Sequence, residues 1–188
     1  MTGLLGGTFN PPHNGHVALA RAANEQLGFA DFVILVAVRP GHKQVSLDAD
    51  TRLRLVRAAF PDRTVEADEH ERTVDTLRAG PWRDPIFLIG ADEFSDFSTW
   101  KDPERVLDLA RLGVATRPGY PRERLDTVLE QVSRPDRVLF FDIEPIPVSS
   151  REIRERVARG EPIDELVPPD VAALIKELRL YQAVETRR

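Results

Sequence analysis

The chain has 188 residues, 41% of them hydrophobic and 30% charged, with a formal net charge of -5, which suits one globular domain with a sizeable core. It contains no cysteine, which excludes disulfides and thiolate zinc sites, and its acidic balance argues against a broad nucleic-acid-binding face. No apolar run approaches a membrane span and no basic-then-apolar leader opens the chain, so a cytoplasmic protein is expected. A local positive cleft on an acidic protein can still take an anionic small molecule.

Gly3-Leu4-Leu5 is a short apolar lead into Gly6-Gly7-Thr8-Phe9-Asn10-Pro11-Pro12-His13-Asn14-Gly15-His16, and Val17 to Leu27 is apolar at helical spacing. The pattern reads strand, glycine-rich turn, helix. Gly6 and Gly7, lacking a Cβ, allow a bulky ligand close to the backbone. Pro11 and Pro12 stiffen the turn. Asn14 is the expected N-cap, and His13 and His16, three apart, can face the same way. A helix start with two imidazoles suits a polyanion; taken one at a time, each feature also fits an ordinary structural turn.

Gly28 is the expected C-cap of that helix. Phe32 to Val38 is a continuous apolar run, the pattern of a strand buried on both faces of a parallel sheet. The loop Arg39 to Lys43 follows, then a helix over Asp50 to Phe60 with Leu53, Val56, Ala59 and Phe60 at helical spacing, a weak strand over Arg63 to Ala67, and a short helix over Thr73 to Ala79. Pro85 to Ile89 is the next buried strand, ending in Gly90-Ala91-Asp92. A helix over Pro103 to Arg111 opens with proline in its first turn. A strand over Leu112 to Thr116 ends in Arg117-Pro118-Gly119-Tyr120. Arg122 to Val132 is helical, Val138 to Phe141 is the last strand, and helices over Ser149 to Arg159 and Pro169 to Leu180 close the chain. This alternation predicts an α/β fold with a doubly wound, mostly parallel sheet in a single domain spanning 1–188, with 183–188 as a frayed tail. The motif loops then fall beyond the carboxyl ends of the strands, where such sheets bind ligands.

Three further stretches carry candidate chemistry. Ser149 and Ser150, after Pro147, can offer hydroxyls and N–H groups to an anion, with Arg154 over the same face; Ser149 and Glu152 equally fit a plain capping box. Gly90-Ala91-Asp92 places a carboxylate at a strand end, where it can accept ribose hydroxyls, and Trp100 offers a flat face for an aromatic ring or a packing surface for a helix. Lysine occurs only at Lys43, Lys101 and Lys176 in an otherwise arginine-based set of cations, which singles out Lys43 in its loop.

The first stretch resembles the GGTFDPPHxGH motif of the HxGH nucleotidyltransferases, and Val148 to Arg154 resembles their ISSTxIR motif. Gly90 to Trp100 is similar to a GADxxxxFxxW stretch, Arg72 to Leu77 to YTxxTL, and Arg117 to Tyr120 to RPGY. Across Leu4 to Tyr181 the chain is identified as similar to the bacterial nicotinate-nucleotide adenylyltransferases. The resemblance implies a Rossmann-like fold and transfer of the adenylyl group of ATP to nicotinate mononucleotide. It implies a catalytic role for His13, His16, Lys43 and Arg154, and contacts to ATP from Gly6, Gly7, Thr8, Phe9, Asn10, Gly90, Asp92, Arg117, Ser149 and Ser150. It places the mononucleotide against Asn10, Lys43, Arg72, Thr73, Thr76 and Trp100. Mg²⁺ is expected to arrive with ATP, since no carboxylate cage for it is evident. Arg72 stands where the family has tyrosine, which fits a direct carboxylate contact, an altered acceptor or a surface arginine. Pro40-Gly41-His42-Lys43 departs from PPHK. A phosphopantetheine or nicotinamide mononucleotide acceptor, a non-catalytic nucleotide sensor, and a homo-oligomeric state all stay open.

Overall fold

In the computed structural model, which describes residues 1–41, 45–117, 120–144 and 146–182, six strands form one parallel sheet. They are β1 (Thr2–Gly7), β2 (Asp31–Ala37), β3 (Thr64–Asp68), β4 (Pro85–Gly90), β5 (Arg111–Thr116) and β6 (Val138–Asp142). The spatial order is β3-β2-β1-β4-β5-β6, which reverses direction between β1 and β4. Leu5 there pairs with Leu88. This is the doubly wound arrangement expected, and the crevice for a ligand lies outside the carboxyl ends at that reversal.

Eight helices are described: α1 (Asn14–Leu27), α2 (Ala49–Ala59), α3 (Thr73–Ala79), α4 (Ala91–Ser95), α5 (Pro103–Leu109), α6 (Arg122–Gln131), α7 (Ser150–Ala158) and α8 (Pro169–Glu177). Strand alternation splits the apolar residues between two layers. Leu5, Ile34, Val36, Ile86 and Leu88 pack under one set of helices together with Ala20, Leu55, Val56, Ile153 and Val171. Leu4, Val33, Leu35, Phe87, Ile89 and Leu112 pack on the other face with Val74, Leu77, Phe94, Val106 and Val128. Both faces of the central strands are covered, so their runs are continuously apolar. Among the described residues no helix is long and apolar enough to cross a membrane.

The boundaries differ from the sequence expectation mainly at α1 and α4. Helix α1 starts at Asn14, with His13 as its N-cap. Asn14 does not cap: its Nδ2 donates to the Glu165 carbonyl at 2.9 Å, and its N–H donates to the Leu166 carbonyl at 2.9 Å. Gly28 is the left-handed C-cap at φ 67°, its N–H donating to Asn24 O. Helix α4 turns Gly90-Ala91-Asp92 from a strand-end loop into a helix start.

Candidate active site

A cavity of about 470 Å³ opens at the β1/β4 reversal. Its wall joins Gly6, Gly7 and Thr8 from the end of β1 with His16 of α1, Gly90 of β4, and Ser150 and Arg154 of α7. Residues from both ends of the chain and its middle therefore face one space of the size that takes a nucleotide.

The two glycines serve the protein's own packing. A Cβ on Gly6 would lie 2.9 Å from the Phe87 ring, and one on Gly7 would lie 2.8 Å from the Phe9 ring. The close approach inferred for a ligand at these positions is thus already used by two buried phenylalanines. Gly90 is different: a Cβ there would meet nothing within 4 Å, so the free space is on the β4 side. Phe9 borders the cavity although the residue is only 2% exposed, and its ring meets His16 edge-on at 4.9 Å.

His13 and His16 do face each other, with ring centroids 3.7 Å apart. The His13 N–H donates to His16 Nδ1 at 3.2 Å, which leaves Nε2 as the protonated nitrogen of a neutral His16 ring. The wall carries His16, whereas His13 lies outside the lining set. Burial lowers the His13 pKa to about 4, and its Nδ1 is buried without a partner. His13 is therefore neutral in the free protein at pH 7, and its ring packs against that of His16.

Arg154 and Ser150 are fixed by the first loop. Arg154 Nη1 donates to Asn10 O at 2.7 Å, and the Ser150 hydroxyl donates to Pro11 O at 2.7 Å. The Ser150 proton is thus committed to the backbone, not offered to an anion. Ser149 is exposed and caps α7, its Oγ accepting from the Glu152 N–H at 3.1 Å. For Ser149 the capping alternative is the one realised, and it lies outside the lining set. Asn10 is buried, and its Oδ1 accepts from the Tyr181 hydroxyl at 2.8 Å while its Nδ2 donates to Ser46 Oγ at 3.2 Å. Burial holds the Tyr181 phenol well above its ordinary pKa, against a smaller pull from Arg154 and Arg52.

Arg52 was missed in the sequence. It is 1% exposed and donates to the carbonyls of Thr8 (3.0 Å), Ala37 (2.6 Å), Leu47 (3.3 Å) and Val38 (3.4 Å). Desolvation lowers its pKa, with Asp48 and Tyr181 opposing. The signal was present: Arg52 lies three, four and seven residues before Leu55, Val56 and Ala59, all buried, so helical periodicity puts it on the inner face.

A second cavity, of about 210 Å³, shares Gly6, Gly7, Thr8 and Glu93 with the first and adds Arg39, His70, Arg72, Thr73, Thr76 and Trp100. Arg72 is the N-cap of α3 and is exposed at the cavity edge. Thr76 is buried, and its hydroxyl donates to Asp68 Oδ2 at 2.7 Å. Trp100 is half-buried, edge-on to Phe97 at 5.3 Å and to Phe87 at 6.5 Å. The packing and the cavity-lining readings of this tryptophan therefore hold together. The carboxylate common to both walls is Glu93, whose Oε2 accepts from the Gly90 N–H at 3.3 Å, and Asp68 and Glu71 line the second cavity as well; Asp92, the residue singled out in the sequence, is exposed and borders neither cavity. Arg117 lines a third cavity with Tyr120, Phe140 and Asp142, beyond β5 and β6, and its guanidinium lies 6.0 Å from the Tyr120 ring centroid. It does not join the wall that carries His16 and Arg154. Lys43, Pro118, Gly119 and the tail at 183–188 lie outside the described residues. Among the described residues, no group of three or more His, Asp or Glu is placed to hold a metal ion.

Comparison with known proteins places these features in context. The cytidylyltransferase-like family model matches residues 4–156. A probable nicotinate-nucleotide adenylyltransferase of Exiguobacterium sibiricum is 40% identical over 95% of this chain and 97% of its own length. One from Thermus thermophilus is 36% identical over 96% and 98%. Among solved structures, the nicotinic acid mononucleotide adenylyltransferase of Plasmodium falciparum complexed with NaAD superimposes with a TM-score of 0.76, covering 96% of each chain at 16% identity. That last likeness concerns the fold.

Proposed function

This chain belongs to the nicotinate-nucleotide adenylyltransferases of the cytidylyltransferase-like family, and from that membership and the geometry of the two cavities we infer its reaction. It transfers the adenylyl group of ATP to nicotinate mononucleotide, giving deamido-NAD and pyrophosphate, a step of NAD biosynthesis carried out in the cytoplasm. The observation that carries the assignment of residues is the single wall on which His16, Arg154 and the Gly6 to Thr8 turn meet, continuous with a second cavity bounded by Trp100 and Arg72.

In this reading the mononucleotide phosphate is the nucleophile and needs no strong base. One of its oxygens bonds to the α-phosphorus of ATP as the bond from that phosphorus to the bridging oxygen breaks, and pyrophosphate leaves with the electron pair. The protein aligns two mutually repelling phosphates and balances the charge that grows on the bridging oxygen. His16 Nε2 is a donor aimed by its Nδ1 contact to the His13 backbone. Arg154 spends one N–H on Asn10 O and keeps the rest of its fork for phosphate oxygens. Lys43 supplies a further charge to the incoming phosphate by resemblance. The adenine ring and ribose follow the β4 and β5 ends near Gly90 and Arg117, and the pyridine ring stacks at Trp100 with Thr73 and Arg72 at its edge. ATP enters as its Mg²⁺ complex, so the metal belongs to the substrate.

The test is pyrophosphate release with ATP and each of nicotinate mononucleotide, nicotinamide mononucleotide and phosphopantetheine. Nicotinate mononucleotide should be the best acceptor, and His16→Ala should fold normally while losing about 10²- to 10³-fold in kcat. A folded His16→Ala protein within a few-fold of the parent would refute the assignment. Preferential turnover of phosphopantetheine would refute the acceptor.

A further inference from the structure

The wall of the second cavity carries an arrangement that the reaction above does not use. Asp68, at the end of β3, accepts three hydrogen bonds. Its Oδ1 takes the His70 N–H at 3.0 Å and faces His70 Nδ1 at 3.1 Å, and its Oδ2 takes the Thr76 hydroxyl at 2.7 Å. The hydroxyl of Thr76 is thereby spent on Asp68. It can shape the pocket, but its proton is not available to a ligand's carboxylate. His70, by contrast, lines the cavity with its side chain 40% exposed. Its Nδ1 is held by a carboxylate, an acceptor only, so the proton on that nitrogen stays there and the nitrogen left for a ligand is Nε2.

The chemistry at Nε2 changes sign with the ring's charge. A neutral ring donating from Nδ1 to Asp68 presents a lone pair at Nε2, which matches the NH₂ group of a carboxamide and opposes a carboxylate. A charged ring presents Nε2–H, which matches a carboxylate and forms a charge-assisted bond with it. We propose that His70, aligned by Asp68, is a specificity-determining residue that reads the 3-substituent of the pyridine ring, favouring the acid when charged and the amide when neutral. The proposal rests on the pyridine-nucleotide reading of this site. Arg72 and Arg39 on the same wall give a carboxylate a pH-independent attraction, and Glu71 and Glu93 oppose it. Asp68 in contact and Asp75 of α3 are the further charged groups that face the ring. Acid preference therefore has a constant part from arginine and a part that falls as pH rises.

The experiment measures kcat/KM for nicotinate and nicotinamide mononucleotides at about pH 6 and about pH 8.5, spanning the range in which imidazoles titrate. Taking their ratio cancels ionisation of the phosphate common to both. In the parent, the acid-to-amide ratio should fall about tenfold between the two pH values, the worth of one charge-assisted bond. In His70→Gln the ratio should be flat, and in Asp68→Asn, which keeps the ring but removes the carboxylate that aligns it, the fall should be smaller. A flat ratio in the parent, or a His70→Gln ratio that keeps the parent's pH dependence, would overturn the role of His70 while leaving adenylyl transfer standing. A parent that makes neither dinucleotide at either pH would overturn the functional reading and this inference with it.

Discussion

The cavity at His16 and the cavity at Trp100 share a wall, yet they are held together over different stretches of chain. At the first, the tying bonds are long-range: Ser150 to Pro11 spans 139 residues, Arg154 to Asn10 spans 144, and Tyr181 to Asn10 spans 171. At the second, the bonds around Asp68 span two residues to His70 and eight to Thr76. A site for a triphosphate, the role proposed for the first cavity, must aim several donors at once, which one local segment cannot do; distant elements converge at the sheet reversal. A pocket that reads one ring substituent needs only one strand end and one helix start.

The contrast can be broken most severely at Arg52. Arg52→Met removes the donor to four carbonyls from three segments and leaves these half-buried acceptors without it, each bond worth about 1 kcal/mol. The expected loss is about 3 kcal/mol, or roughly 6–12 °C in Tm for a chain of this size, with activity lost in proportion to misplacement of the Thr8 turn. Equal Tm values for parent and variant in thermal unfolding would show that the long-range ties do not bear on the first cavity.

His13 gives a pH-dependent form of the same test. Its folded pKa of about 4 lies below the ordinary histidine value of 6.5. Between those values the unfolded chain binds the proton and the folded chain does not, so stability falls as pH drops through that window. The shift corresponds to about 3 kcal/mol when complete. His13→Gln should show a shallower acid limb in urea unfolding measured from about pH 7 to about pH 4; an unchanged slope would show that burial of the His13 ring does not oppose its protonation.

The smallest effects sharpen the contrast by pairing one change from each cavity. Tyr181→Phe removes the hydrogen bond to Asn10 and Thr76→Val removes the one to Asp68, each about 1 kcal/mol in stability. Only Tyr181→Phe should weaken ATP binding, by a few-fold in calorimetry, since only Asn10 carries the carbonyl that holds Arg154. Equal ATP affinity in the two variants would erase the distinction.

Much of this was legible before any coordinates. Apolar runs marked β2, β4 and β5 because burial on both faces leaves a continuous apolar signature, whereas the edge strand β3, with no buried residue, gave only a weak one; Gly28 and Pro103 marked a helix end and a helix start for stereochemical reasons. Asn14 and Asp92 misled because side-chain chemistry alone does not say which partner is nearest: a carbonyl from residue 165 reaches Asn14 first, and helix α4 turns Asp92 outward while Glu93 faces the wall. Arg52 was hidden by its charge, although its spacing from Leu55, Val56 and Ala59 put it inside.

By itself, then, the sequence determined the doubly wound sheet and the turn that carries His16, because periodicity and turn chemistry are local; that this turn meets Ser150 and Arg154 of α7 was decided by the fold. Only the tertiary structure decided that His13 is neutral, that Ser150 donates to Pro11, that Gly6 and Gly7 make room for Phe87 and Phe9, and that Tyr181 and Arg52 brace the first loop. Those outcomes depend on what lies within a few ångströms after folding, and desolvation and hydrogen-bond competition act at that distance, not along the chain.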